Sequence, residues 1–149
     1  MESTIDTMEL LRWIGIGGAF GLSAIGSAIG MAMNGPAVIG AWKKCYIQKR
    51  PAPAILVVFG ATCLSNIIYG FILLLVLPGS AASPLMILTL GLGSGLAIGA
   101  VAITQAMCAA AAADALAETG QGFANYIIIV GIAETVSLFA MVFTLMIAA

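Results

Sequence analysis

Glu134 is the residue whose type and position most clearly predict chemistry. It is the only charged residue between Phe123 and Ala149, and it lies near the middle of that apolar run. A run of this length can cross a bilayer, which needs about 20 apolar residues. A charge at that depth costs about 2.5–3.5 kcal/mol on insertion scales, so the carboxyl group must be protonated, paired or bound to a cation. An ion-carrying carboxylate is the favoured interpretation, and a protonated glutamate that only joins two helices is the alternative.

Two amide side chains, Asn66 and Gln105, also lie inside apolar segments. Asn66 belongs to a small polar cluster, Thr62-Cys63-Leu64-Ser65-Asn66, within a run otherwise rich in Ile, Leu, Val and Phe. An amide without a partner in hydrocarbon costs several kcal/mol. Each amide therefore either bonds to another helix or lines an ion site, and the residues alone leave both possibilities open.

The elements that position these groups are long apolar helices. Of the 149 residues, 62% are hydrophobic and only 7% are charged, whereas about 25% are charged in ordinary soluble domains. Runs long enough to span a bilayer cover residues 10–41, 54–77, 85–113 and 123–149. We therefore predict an all-α membrane protein with four transmembrane helices, and we expect no catalytic site in this chain.

Several other classes of function are disfavoured by composition. The net charge of −1 offers no basic surface for nucleic acid. Cys45, Cys63 and Cys108 have no histidine to share a metal with, so we expect them to be packing residues. The first nine residues carry three acids and no base, which favours a retained first helix over a cleaved secretory signal.

Glycine and alanine stripes predict how the helices pack. Gly17 and Gly21, and likewise Gly26 and Gly30, lie one helical turn apart in the first segment. A phosphate-binding loop would need a preceding strand and a nearby lysine, and neither is present. Small residues one turn apart instead allow close approach of helix backbones in lipid. The third segment carries a longer face of this kind: Gly91, Gly95, Gly99, Ala102, Ala106, Ala109 and Ala113.

Helix ends follow from caps, prolines and tryptophans. Trp13 and Trp42 are typical of the two membrane interfaces of the first helix. The sequence Asn34-Gly35-Pro36 predicts a bend within that helix. Ser83-Pro84 predicts the start of the third helix, as a capping residue followed by proline at the first helical position.

Charge distribution predicts the orientation in the membrane. Four of the five basic residues lie within residues 43–53, which we interpret as a cytoplasmic loop by the positive-inside rule. We interpret residues 114–122, with Asp114 and Glu118, as the second cytoplasmic loop, so that both termini are external. A docking surface for an acidic partner is the alternative explanation of the basic residues.

The two halves of the chain repeat one pattern: a glycine-rich helix, a turn, and a bulkier helix with a central polar group. Glu134 follows Asn66 by 68 positions, and the two would be equivalent. We therefore divide the chain into a first hairpin, residues 1–80, without a carboxylate and a second, residues 81–149, that carries Glu134.

The duplicated hairpin with a single glutamate in the fourth helix resembles the proteolipid of V-type rotary ATPases, the rotor-ring component designated K or c. The most specific segments are Ser65-Asn66-Ile-Ile-Tyr69-Gly, Thr104-Gln105-Ala-Met-Cys-Ala-Ala-Ala and Ala133-Glu134-Thr135. The resemblance implies that Glu134, Gln105, Ser65, Asn66 and the Thr62 carbonyl bind the ion, and that Tyr69 bonds to Glu134.

The resemblance implies either Na⁺ or H⁺ as the transported ion, and no cofactor. If the ion is Na⁺, its ligands would include Glu134, Gln105, Ser65 and Asn66, since hard cations bind oxygen. Ser65 and Asn66 depart from the threonine and glutamine of sodium-carrying bacterial members, and asparagine is one methylene shorter. If the ion is H⁺, Gln105 and Tyr69 would hold a protonated Glu134.

The implied mechanism is rotary. Identical copies form a ring in lipid, Glu134 exchanges its ion beside a basic residue of a stator membrane subunit, and central-stalk subunits on the cytoplasmic loops couple rotation to ATP hydrolysis or synthesis. We expect a multi-pass protein of a bacterial plasma membrane. The competing interpretations are a small proton-coupled multidrug exporter and a structural proteolipid. The exporter would carry its glutamate in the first helix, which has no acid between Leu10 and Ala41.

Overall fold

The structure, a computed structural model, describes residues 6–149 as a bundle of helices. The helices are α1 (Thr7–Ile47), α2 (Leu56–Ala61), α3 (Leu64–Val76), α4 (Pro84–Thr119) and α5 (Phe123–Ala148), with a 3₁₀ turn at Leu77–Gly79 after α3. Four spans are long and apolar enough to cross a membrane, and α2, α3 and the 3₁₀ turn together form the second, Leu56–Gly79. The predicted all-α membrane fold with four spanning helices is confirmed.

The second span is interrupted, which the sequence did not predict. The helix breaks at Thr62 and Cys63, between α2 and α3. The buried Asn34 side chain on α1 donates from Nδ2 to the carbonyl oxygens of Phe59, at 2.8 Å, and Gly60, at 3.4 Å. Thr62 Oγ1 also donates to the Phe59 carbonyl, at 3.0 Å. These side chains compete for carbonyls that a continuous helix would use, which accounts for the break.

The first helix, by contrast, is longer than predicted. It runs from Thr7 to Ile47 with Pro36 inside it, and the bend predicted at Asn34-Gly35-Pro36 stays a prediction. The predicted loop 43–53 is therefore wrong over residues 43–47, which form the last turn of α1. Charged and aromatic residues fit an exposed helix end, and no proline occurs until Pro51.

The second predicted loop, 114–122, is also too long. Helix α4 continues through Asp114 and Glu118 to Thr119, because alanine, leucine and glutamate are strong helix formers. It ends at Gly120, whose left-handed φ of 66° suits glycine. The predicted start of α4 is confirmed: Ser83 Oγ accepts a hydrogen bond from the Met86 amide, and Pro84 is the first helical residue.

Helices α1 and α4 form the closely packed centre of the bundle. A methyl group added at Gly26 would lie 2.3 Å from the Gly99 Cα atom, and one at Gly95 would lie 2.5 Å from the Gly18 carbonyl oxygen. The small-residue face of α4 therefore packs against α1 of the same chain. Gly17 and Gly21 have no neighbour within 4 Å of such a methyl group, so this half of the α1 stripe is open.

Polar contacts close each end of the bundle. At one end, Lys44 pairs with Asp114 and Glu118, and Arg50 Nη1 donates to the Glu118 carbonyl at 2.9 Å. At the other end, Arg12 donates to carbonyls of the α3–α4 connection, including Pro78 at 3.0 Å. The α1–α2 and α4–α5 connections, one within each predicted hairpin, thus lie at the same end of the bundle, near Lys44. The division into hairpins 1–80 and 81–149 stays a prediction.

Two buried apolar clusters leave a polar layer between them. On α5, Val130 belongs to one cluster and Ala148 to the other. On α4, Ala109 and Ile98 are divided in the same way. The polar side chains at the centre of α3, α4 and α5 lie between these clusters, which exclude water on either side of the site.

Candidate functional site

Glu134 lies near the middle of α5, half-buried, and its carboxyl group receives hydrogen bonds from two other helices. The Tyr69 hydroxyl on α3 donates to Oε1 at 2.8 Å. The Gln105 amide nitrogen on α4 donates to Oε2 at 3.3 Å. Each carboxyl oxygen thus has one neutral donor. This arrangement orients the carboxyl group without neutralising a negative charge on it.

Gln105 is fully buried where α4 faces α5. Its Nε2 atom also lies 3.4 Å from the Val130 carbonyl oxygen on α5. Its Oε1 atom accepts a hydrogen bond from Asn66 Nδ2 at 2.5 Å. Every polar atom of this side chain is therefore used, as a buried amide requires.

Asn66 lies behind Gln105 rather than beside Glu134. It is fully buried on α3, and its Oδ1 atom accepts a hydrogen bond from the Ser137 hydroxyl at 2.5 Å. Both polar ends of the Asn66 side chain thus bind protein groups. The implied role of Asn66 as an ion ligand stays a prediction.

Ser137 is part of the site and was not identified from the sequence. It is fully buried and follows Glu134 by three residues on α5. Residues three or four apart share one helix face, so Ser137 and the Val130 carbonyl flank Glu134 on the side that meets α3 and α4. The spacing of three residues, which puts Ser137 on the same helix face as Glu134, was the sequence signal that could have identified it.

Thr62 and Ser65 lie near Glu134 but do not share its hydrogen bonds. Both line a cleft of about 420 Å³ into which Glu134 also opens. Ser65 Oγ donates to the Thr62 carbonyl at 3.1 Å, so that carbonyl already has a partner. Among residues 6–149, no hydrogen bond joins either residue to the carboxyl group.

No cationic partner compensates Glu134 in the described part of the chain. The ion pairs found within residues 6–149 join Lys44 to Asp114 and Glu118 at the end of the bundle. A carboxylate in an apolar surrounding without a counter-charge is costly. The group can therefore be neutralised by a proton, by a small cation in the cleft, or by a basic group of a partner.

A comparison with known protein families bears on the part of the chain that forms most of α4 and α5. Residues 88–147 match the family model that describes the C subunit of ATP synthase, the ion-translocating rotor component of ATPases. The matched segment contains Gln105, Ser137 and Glu134, whereas Asn66 and Tyr69 lie outside it. No curated protein sequence matches the chain.

Proposed function

We propose that this chain is a rotor-ring subunit of a V-type ATPase that carries H⁺ or Na⁺ across a membrane on Glu134. The observation that carries the proposal is the carboxyl group itself. It lies at mid-span, held by Tyr69 and Gln105 from two other helices, with no counter-charge among the described residues. The match of residues 88–147 to a rotor-subunit family supports it independently.

Glu134 performs the transport by alternating between a neutral and a charged form. With its ion bound, the group is neutral and can face lipid without a large solvation penalty. Beside a basic residue of a stator subunit, the carboxylate is stabilised by that charge and releases the ion. Moving one charge through the field corresponds to about 2.3 kcal/mol per 100 mV.

Tyr69 and Gln105 keep the carboxyl group in one orientation during this cycle. Both donate to it, and both belong to helices other than α5. Rotation then delivers the group to the stator with its geometry preserved. Because the chain supplies no reaction besides ion exchange, ATP hydrolysis or synthesis would belong to soluble subunits of the same complex.

Copies of the chain would assemble side by side into the ring. The outer face of α5 is apolar and exposed, at Ile128, Ile132, Val136 and Phe139 among others. Such a face suits lipid or the helices of a neighbouring copy. Four spans with one mid-span carboxylate, Glu134, favour the V-type form, in which a duplicated hairpin carries a single ion site.

Central-stalk subunits would contact the end of the bundle at which α1 meets α2 and α4 meets α5. Lys43, Lys44, Lys49 and Arg50 lie there, with Asp114 and Glu118 opposite them. Concentration of the basic residues at this end favours a cytoplasmic location. We propose a bacterial plasma membrane as the site of the complex.

The substitution Glu134→Gln tests the proposal. It keeps the size of the side chain and one of its two acceptor oxygens, and it removes the ability to exchange an ion. We expect ion transport and coupled ATPase activity to be lost in membranes that contain the assembled complex, with the ring still recovered intact.

The matched control is Glu9→Gln, the same substitution at an exposed carboxylate in the first turn of α1, at the end of the bundle opposite the proposed stalk contact. An acid in a first helical turn contributes about 0.3–1 kcal/mol, so transport should persist. Full coupled transport by the Glu134→Gln variant would contradict the assignment of the ion site.

A further inference from the structure

A cleft between α2 and α5 leads from the surface of the bundle to Glu134. Its volume is about 420 Å³. Val57 and Ala61 belong to its wall on α2, and Ile127 and Gly131 belong to its wall on α5. Val57 and Ala61 are exposed, so the cleft is open to whatever surrounds the bundle.

The cleft lies between Glu134 and the basic end of the bundle, the end that holds four basic residues and at which α4 is joined to α5. In α5, the lining residues Ile127 and Gly131 both precede Glu134 and so lie nearer to that end. Helices α2 and α5 also touch there, where the ring centroids of Phe59 and Phe123 are 5.6 Å apart. The cleft therefore opens sideways from the bundle and is not a channel along its axis.

Protein groups close the other approaches to the carboxyl group. Behind it, Gln105 and Asn66 are fully buried. Toward the other end of the bundle, Tyr69 donates to Glu134 Oε1 and packs, together with Met141, against a buried apolar cluster. Glu134 itself is only half-buried, and the side that faces the cleft is the one left open to a partner.

Gly131 determines the width of the cleft beside Glu134. It precedes Glu134 by three residues, so the two share a face of α5. A methyl group added at Gly131 would have no atom within 4 Å, whereas one at Gly26 would overlap the backbone of α4. Close helix packing therefore does not account for glycine at position 131, although glycine weakens a helix relative to alanine. The missing side chain leaves empty space next to the carboxyl group.

We propose that Gly131 keeps the path to Glu134 open and that partners reach the carboxyl group through this cleft, from the side nearer the basic end. The inference rests on the proposed function of Glu134 as the ion carrier. It names the route of the partner in ion exchange, a basic side chain of the stator subunit. A side chain at position 131 would fill the cleft and hold that partner away from the carboxyl group. Gly131 acts through the space it leaves and need not touch the ion.

The test compares the rates at which two carbodiimides of different size label Glu134 in membranes. Diisopropylcarbodiimide and the bulkier dicyclohexylcarbodiimide react with the same protonated carboxyl group, so the ratio of their rates reports the width of the path and not the protonation state. Gly131→Leu should lower the ratio of bulky to compact labelling roughly tenfold, because a reagent forced past a filled cleft meets the penalty of overpacking. Gly131→Ala should lower the ratio by less, and coupled ion transport should fall in Gly131→Leu.

Three further variants separate the path from other effects of a larger side chain. Ala61→Leu fills the cleft from its wall on α2 and should lower the same ratio, which tests the path even if leucine at position 131 prevents folding. Leu138→Phe enlarges an exposed residue about one turn beyond Glu134, away from the basic end, and should leave the ratio unchanged. Gly40→Leu is the same substitution at an exposed glycine of α1 whose added methyl group also meets no atom within 4 Å, and the ratio should again be unchanged.

The possible outcomes distinguish this inference from the function on which it rests. A wild-type ratio in both Gly131→Leu and Ala61→Leu would overturn the proposed path. An equal fall in Leu138→Phe or in Gly40→Leu would overturn the one-sided approach. Full coupled transport by Gly131→Leu would show that the stator partner does not use the cleft. Each of these results leaves the ion-carrying role of Glu134 standing, whereas absence of wild-type labelling by either reagent would overturn the proposed function itself.

Discussion

At Glu134, two neutral donors from different helices bind the two oxygens of one carboxyl group. Tyr69 and Gln105 orient the carboxyl group through hydrogen bonds and carry no charge themselves. An arginine or lysine in their place would form an ion pair with the carboxylate and so compensate its charge within the chain. Neutral donors therefore suit the role proposed for Glu134, in which the group binds and releases an ion in each cycle.

Removing one of these donors should loosen the orientation of the Glu134 carboxyl group but leave it able to react with a carbodiimide. The variant Tyr69→Phe keeps the ring and loses the hydroxyl that bonds to Glu134 Oε1. A typical hydrogen bond contributes about 0.5–1.5 kcal/mol, so we expect a roughly two- to tenfold change in carbodiimide labelling. The expected direction is faster labelling, because the freed carboxyl group turns toward the cleft.

Tyr126→Phe is the control for this substitution. Tyr126 lies on the same helix as Glu134 but contacts the Gly122 end of α5 and has no hydrogen bond to the carboxyl group. The rate of carbodiimide labelling of Glu134 in the Tyr126→Phe variant should match that of the wild type. Equal rates for Tyr69→Phe and wild type would show that the hydroxyl does not restrain Glu134.

Sequence motifs identified the side chains that reach Glu134 but not the groups that orient them. Glu134, Gln105 and Tyr69 are conspicuous because polar residues in apolar helices are rare. The Val130 carbonyl carries no sequence signal, and Ser137 is an ordinary small residue unless its helical face is compared with that of Glu134. Ser65 donates to the Thr62 carbonyl, a local bond that serine commonly makes to nearby backbone carbonyls, and the role of both residues as ion ligands stays a prediction.

At the scale of the helices, the centre of the bundle depends on glycine at a few positions of α1 and α4. A methyl group at Gly26 would lie 2.2 Å from the Gly99 carbonyl oxygen, far inside van der Waals contact. The contacting atoms are backbone, so no side-chain rotation relieves the overlap. The two helices must separate, and the polar layer that α4 supplies to the site would move with them.

The variant Gly26→Ala should therefore destabilise the folded chain despite the better helix propensity of alanine. Alanine gains about 1 kcal/mol of propensity over glycine, and overpacking typically costs about 1–3 kcal/mol. Because the added methyl group meets rigid backbone, we expect the overpacking cost to lie at the upper end of its range and to exceed the gain in helix propensity. Thermal unfolding of the purified protein in detergent should show a lower midpoint for Gly26→Ala.

Gly21→Ala provides the comparison on the same helix. No atom lies within 4 Å of the added methyl group, so the midpoint should stay the same or rise slightly. A midpoint for Gly26→Ala equal to that of Gly21→Ala would mean that α1 and α4 do not touch as closely as described.

Helix existence was predictable here, and helix ends were less so. Long apolar runs leave little alternative in a membrane, where backbone groups must bond internally. Charged residues predict loops and so place the ends of α1 and α4 too early. Lys44 and Glu118 are good helix formers, however, and they pair across the two helices. The break between α2 and α3 depends on Asn34 from another helix, a long-range contact that local sequence cannot reveal.

At the scale of the whole molecule, the two ends of the bundle differ in charge and in construction. One end gathers Lys43, Lys44, Lys49 and Arg50. At the other, the guanidinium of Arg12 is occupied by carbonyls of the α3–α4 connection. Because basic residues bias orientation and acidic residues contribute little, Asp114 and Glu118 do not cancel the asymmetry.

Cysteine accessibility tests the resulting orientation. Gln121 and Ala81 are exposed residues at opposite ends of the bundle, in the α4–α5 and α3–α4 connections. A membrane-impermeant maleimide should label Gln121→Cys only in inverted vesicles and Ala81→Cys only in right-side-out vesicles. Native Cys45 and Cys63 are buried and Cys108 is partly buried, so the wild-type chain sets the background. The reverse pattern would place the basic end on the external side of the membrane and would contradict the orientation predicted from the basic residues.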